Sequence, residues 1–131
     1  MPHRYIHLNG NLREAEASGG ISPFDRGFLY GDGLFETMRV HHSVVYLLER
    51  HLQRLRESAE FIDIELPSNA DITARIDELL QANGTTDCVV RLTVTRGVGG
   101  LVSDMNASEP TILLFCRELP SAIPETGARA I

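Results

Sequence analysis

The hydrophobic period changes twice along this chain, and that change restricts the possible folds more than any other feature. Up to about Val45, apolar and polar residues alternate, as in "RYIHLNGNLRE" and "LFETMRV". From Leu48 the spacing lengthens: Leu48, Leu52, Leu55, Ala59 and Ile62 recur at steps of three and four. After Gly84 the short period returns, with Val90, Leu92 and Val94 alternating in "DCVVRLTVTRG" and a mostly apolar run in "TILLFCREL". A period of two lines one face of a strand, and a period near 3.6 lines one face of a helix. The order is therefore strands, two helices, strands. It predicts an α+β domain with two main helices on one side of a largely antiparallel sheet.

Local signals set the boundaries. Asn9-Gly10 between alternating runs predicts a hairpin, and "HHS" is expected to join "LFETMRV" to "SVVYLLE" in a second one. In "LFETMRV", Leu34, Glu36, Met38 and Val40 share one face, and Phe35, Thr37 and Arg39 share the other. Pro67 ends the connection after the first helix. "SNADITARIDELLQANG" is predicted to be the second, with a polar start, apolar Ile72, Ile76, Leu79 and Leu80, and Gly84 as its stop. "VGGLVSDMNASEP" is expected to be a long loop. The tail "PSAIPETGARAI" carries two prolines and a glycine before a new apolar pattern begins. Residues 1–118 are accordingly expected to form one α+β domain, and residues 119–131 a linker with the first residues of a second domain.

Composition narrows the function. A chain of 131 residues can bury a core. A net charge of −6 gives no basic footprint for nucleic acid. No apolar run has the length of a membrane span, and "MPHRYIHLNG" lacks the core of a secretion signal, so a cytoplasmic location is expected. Cys88 and Cys116 lie in apolar runs and are expected to be buried thiols. The histidines show no metal-binding spacing; only His41 and His42 adjoin. All twelve basic residues are arginine, so no side chain in this sequence can form a Schiff base.

Three stretches carry candidate chemistry. In "FDRGFLYGDGLFETMRV", Gly31, Asp32 and Gly33 can form a tight turn into a strand, while Asp25 and Arg26 can cap a short turn. The stretch is neither a dinucleotide fingerprint nor a calcium loop. In "ERHLQRLRESAE", Arg50 and Arg54 share a helix face. Each can be solvated or paired with Glu57 or Glu60; alternatively, Arg54 at the edge of the leucine stripe can fork onto a phosphate. The loop "TRGVGGLVSDMN" can be a surface loop or a substrate loop.

Together, "FDRGFLYGDGLFETMRV", "LLERHLQRLRESAEFIDIELP" and "VVRLTVTRG" resemble the class IV pyridoxal-phosphate enzymes of fold type IV. These are the branched-chain and D-amino-acid aminotransferases and aminodeoxychorismate lyase. The likeness runs in order from about Tyr5 to Ile131 and points to the small N-terminal domain of such an enzyme. It implies pyridoxal 5′-phosphate as cofactor, an amino acid and keto acid or aminodeoxychorismate as substrate, and a homodimer. The arginine of the family's H-x-x-R-L motif binds the cofactor phosphate, which implies that role for Arg54. The aromatic residue of the glycine-turn motif lines the substrate side, which implies Phe35, with Tyr30 and the loop from Arg96 to Leu101 beside it. Where the lyase and D-amino-acid enzymes carry an arginine, this sequence has Leu101, a departure that removes an expected carboxylate anchor unless Arg96 substitutes for it. The family's Schiff-base lysine lies in the second domain, so no catalytic residue is expected within these residues. A naturally short, non-catalytic binding or assembly domain is the alternative reading.

Overall fold

The computed structural model of the protein describes residues 3–99 and 109–119. Among these residues six strands and three helices follow one another: β1 (Tyr5–Leu8), β2 (Asn11–Glu14), α1 (Arg26–Tyr30), β3 (Gly33–His41), β4 (Val44–Val45), α2 (Leu48–Phe61), α3 (Asn69–Asn83), β5 (Cys88–Thr95) and β6 (Thr111–Arg117). The strands form one sheet in the order β2-β1-β6-β5-β3-β4, and every pairing is antiparallel. The expected α+β architecture is thus the observed one.

Two tight turns make the hairpins. Asn9 and Gly10 have φ of 50° and 86°, and His42 and Ser43 have 48° and 63°. Positive φ at both central residues is the turn whose twist matches that of paired strands. The second hairpin is shorter than its sequence suggests. β4 stops at Val45, because Leu47 adopts a left-handed φ of 55° and leads directly into α2.

α3 follows its sequence signals closely. Ser68 caps it by accepting the Asp71 N–H at 3.1 Å, and Gly84 at φ 60° ends it. Ile72, Ile76, Leu79 and Leu80 are all buried. With Leu52, Leu55 and Ala59 of α2 they cover Met38, Val40, Val90, Leu92 and Leu114 of the sheet. Cys88 and Cys116 are free thiols inside this core. The opposite face of the sheet carries Phe35, Arg91, Leu113 and Phe115. Among the described residues no main helix covers it, so β6 alternates between buried and half-buried instead of being buried throughout.

α1 is the element that the sequence did not reveal. It has five residues, too few to display a helical period. Asp25 starts it by accepting the Gly27 N–H at 2.8 Å.

Candidate cofactor site

On the face of β3 that packs against the helices, one residue breaks the apolar pattern. Glu36 lies between Leu34 and Met38 and is only 4% exposed. A carboxylate there needs partners, because burying an unpaired charge costs several kcal/mol or more. α2 supplies two. Arg54 donates from Nε to Glu36 Oε1 at 2.8 Å and from Nη2 to Oε2 at 2.7 Å. His51, one turn earlier on α2, places Nδ1 2.7 Å from Oε2. Burial alone would raise the Glu36 carboxyl, but the hydrogen bonds from Arg54 and then His51 outweigh it and hold the group below the usual carboxylate range. The carboxylate in turn raises the Arg54 guanidinium further, so Arg54 remains a cation.

Arg54 therefore pairs across the helix–sheet interface with Glu36, and not along its own helix with Glu57 or Glu60. Its side chain is nonetheless 68% exposed. One edge of the guanidinium is fixed on Glu36 through Nε and Nη2, which leaves Nη1 outside that fork. This is a stationary cation at the surface, which an unpaired arginine with several free torsions is not.

Phe35 precedes Glu36 and points to the other face, as the alternation requires; it is 59% exposed. The Arg91 guanidinium lies over its ring, with Cζ 3.7 Å from the centroid, and donates from Nη1 to Thr37 Oγ1 at 3.3 Å. Both sides of this part of β3 meet at an open sheet edge. β4 pairs only with Val40 and His41, so among the described residues no strand lies alongside β3 from Gly33 to Met38. The Arg39 carbonyl accepts the Tyr46 N–H on that side, and by alternation the backbone groups of Phe35 and Thr37 turn the same way.

The glycine turn explains how β3 is delivered. Gly31, at φ 67°, closes α1 in a left-handed cap that a side chain disfavours. Gly33 is needed for a different reason: a Cβ there would stand 2.5 Å from the Val94 carbonyl oxygen. Between them, Asp32 accepts from Arg96 Nε at 2.8 Å and Arg26 Nε at 3.2 Å. Its desolvation is outweighed by these two arginines, which lower its carboxyl overall. Arg96 continues to the carbonyls of Ile62 and Asp63, at 2.6 and 3.2 Å, and so ties the turn to the end of α2. Asp25 both caps α1 and accepts the Thr111 hydroxyl at 2.6 Å. The aspartates of the stretch are thus structural fasteners.

The four residues singled out in the sequence are placed differently. Arg54 and Phe35 flank the same short piece of β3, on opposite faces. Tyr30 is exposed at the end of α1, with Arg26 Cζ 5.4 Å from its ring centroid. Arg96 is 6% exposed and engaged with protein acceptors. Gly100 and Leu101 of the expected substrate loop, and residues 120–131, lie outside the described residues. Glu36, His51 and Arg91 were missed. Glu36 did leave a signal, a charge on an otherwise apolar strand face; Arg91 left none beyond its alternation in β5. A cavity of about 650 Å³ lies elsewhere, lined by residues including Asn9, Leu66, Arg75 and Pro110, and it includes none of the four. The flank of β3 is an open surface and needs a further wall to enclose a ligand.

The model of the family described as amino-transferase class IV matches residues 33–131. The putative branched-chain-amino-acid aminotransferase of Methanocaldococcus jannaschii is 39% identical over 128 residues, covering 96% of this chain and 44% of that protein. Aminodeoxychorismate lyase of Bacillus subtilis is 37% identical over 125 residues, covering 91% and 42%. The chain thus spans less than half the length of either relative. Among solved structures, the branched-chain aminotransferase of Escherichia coli superposes with a TM-score of 0.84 at 20% identity, covering 94% of this chain and 42% of that one. The branched-chain aminotransferase of Thermoproteus uzoniensis, solved with norvaline, gives 0.80 at 20% identity, covering 93% and 43%. At these identities the two structures establish a shared fold.

Proposed function

The chain belongs to the class IV aminotransferase family, and from that premise we propose that it supplies the phosphate-gripping arginine and one substrate-side wall of an enzyme using pyridoxal 5′-phosphate. The observation that carries this reading is Arg54, a cation fixed along one edge by buried Glu36 and exposed along the other. A guanidinium held in this way can direct its remaining N–H groups onto phosphate oxygens without first losing its own torsional freedom. The donor set fits the phosphate of the cofactor. It supplies no amine side chain, since the sequence contains no lysine, and the Schiff-base lysine is assigned to residues beyond these. When bound, the cofactor supplies the electron sink for chemistry at the carbon bearing an amino group.

The roles of the chain's own residues follow from their places. Phe35 and Tyr30 are assigned to the substrate side. Arg91, stacked on Phe35, offers a cation on the same face for a substrate carboxylate. Arg96, the carboxylate anchor expected from the sequence, is assigned instead to the frame, because its donors are spent on Asp32 and the end of α2. Residues 1–118 are proposed as the N-terminal domain and residues 119–131 as the passage to a second, which with a partner subunit of a homodimer completes the enclosure. The proposed reaction is amino transfer between an amino acid and a keto acid, or the related aminodeoxychorismate lyase reaction, in the cytoplasm. The kinship to enzymes of both kinds favours this over a non-catalytic binding or assembly domain.

The test is cofactor affinity in the enzyme that contains this chain, measured for both pyridoxal 5′-phosphate and unphosphorylated pyridoxal. Arg54→Ala is expected to weaken the phosphorylated form by roughly ten- to a hundredfold, the worth of a hydrogen bond to a charged group, and to leave pyridoxal binding unchanged. Equal losses for both would make Arg54 a purely structural residue. Turnover assays with branched-chain amino acids, D-alanine and aminodeoxychorismate then separate transfer from lyase activity.

A further inference from the structure

The connection between α3 and β5 meets the β3–β4 turn, and it brings Asp87 to the adjacent histidines His41 and His42. His41 Nδ1 lies 2.8 Å from Asp87 Oδ1, across a separation of 46 residues. The His42 ring stacks on His41, with centroids 3.9 Å apart and planes 25° from parallel. One ligand atom from each of His41, His42 and Asp87 falls within 4.8 Å of the others. The backbone holds this arrangement. Ser43 N–H donates to the Thr86 carbonyl at 2.9 Å, locking the turn to the residue before Asp87. His42 and Ser43 carry the positive φ values of that turn.

We propose that His41, His42 and Asp87 form a surface site for a late first-row divalent cation, with zinc as the simplest case. Two imidazoles and one carboxylate are the ligand types that such ions prefer. Three protein donors leave coordination positions for water. Tetrahedral zinc with bonds of about 2.0–2.1 Å sets its donors about 3.3 Å apart, so the widest pair must close by up to about 1.5 Å and the His41–Asp87 pair must open slightly, within reach of side-chain rotation at exposed positions. Insertion of the ion replaces the His41–Asp87 hydrogen bond by two metal–ligand bonds. One neighbour opposes binding: Arg39 Nη2 lies 3.3 Å from Asp87 Oδ1 and adds a positive charge beside the site. The affinity is therefore set by competition between the ion and that guanidinium for one carboxylate. This site is independent of the cofactor-phosphate reading, because none of its residues takes part in the Glu36–Arg54 cluster.

The test is calorimetric titration of zinc chloride into the purified protein with any affinity tag removed, together with proton NMR of the histidine ring signals. One zinc per chain is expected, with the His41 and His42 signals shifting and those of His3, His7 and His51 staying still. His42→Gly should weaken binding about tenfold or more while preserving the fold, since glycine accepts the φ of 48° at this position. Asp87→Asn should also weaken it, and Arg39→Gln should strengthen it by removing the competing charge. Zinc binding that persists in His42→Gly, or shifts centred on other histidines, would overturn the proposal. So would the absence of any heat or shift at millimolar zinc.

Discussion

Glu36 shows how one misplaced charge can organise a site. Its carboxyl is depressed in the folded protein, so it contributes stability above its unfolded value of about 4.3, and that stability is lost as pH falls through the lower folded value. Glu36→Gln should therefore flatten the acid limb of the stability profile below about pH 4.3, as followed by denaturant unfolding at a series of pH values. An unchanged acid limb would mean that Glu36 gains nothing from Arg54 and His51. Phe35 makes the opposite case. Its ring is 59% exposed, so Phe35→Ala should cost less than about 1 kcal/mol, the scale of an exposed cation–π contact with Arg91, and not the roughly 3–5 kcal/mol of a buried ring. If Phe35 lines the substrate side as proposed, the same variant should reorder kcat/KM among amino donors in the proposed enzyme, because pocket shape discriminates at roughly 1–3 kcal/mol per methylene. A large stability loss with an unchanged order would return Phe35 to the core. That Phe35 and Glu36 point apart was legible in the alternation of "LFETMRV". That Glu36 meets Arg54 and His51 was not, because a strand pattern gives the face and says nothing about which helix residue arrives there.

The two long helices and the central strands were legible for a common reason. Each is long enough to show its period and buries one face, as Ile72, Ile76, Leu79 and Leu80 do in α3 and Val90, Leu92 and Val94 do in β5. α1 escaped because one turn has no period, and β4 was overextended because nothing in "VVYLLE" announces the left-handed Leu47. The glycines on either side of Asp32 were read as one turn, yet their physical demands differ. Gly31→Ala meets no neighbouring atom and suffers only its positive φ, at roughly 1 kcal/mol. Gly33→Ala drives a Cβ against the Val94 carbonyl in the β3–β5 pairing and should cost more, about 1–3 kcal/mol. Urea unfolding of the two variants gives the comparison. Equal losses would show that β3 does not approach β5 as closely as the structure has it.

The helices and the sheet divide the protein into a closed face and an open one. The closed face holds the core, and truncating it at Leu79, which is fully buried, should cost roughly 2–5 kcal/mol in unfolding. The open face carries Phe35 and Arg91, while Arg54 turns its exposed edge outward from the helix-covered side of the same stretch of β3, so the proposed ligand lies along the flank where this fold leaves backbone and cations uncovered. The Glu36–Arg54 fork links α2 to β3 at that flank, and a double-mutant cycle measures it most directly. Affinity for pyridoxal 5′-phosphate is determined for the enzyme with Glu36→Gln, with Arg54→Ala and with both. If Glu36 acts only by holding Arg54, the double variant should bind no more weakly than Arg54→Ala alone, so the two losses fall short of additive by the whole effect of Glu36→Gln. Independent, additive losses, or an Arg54→Ala enzyme that binds the phosphorylated cofactor as tightly as the wild type, would contradict it.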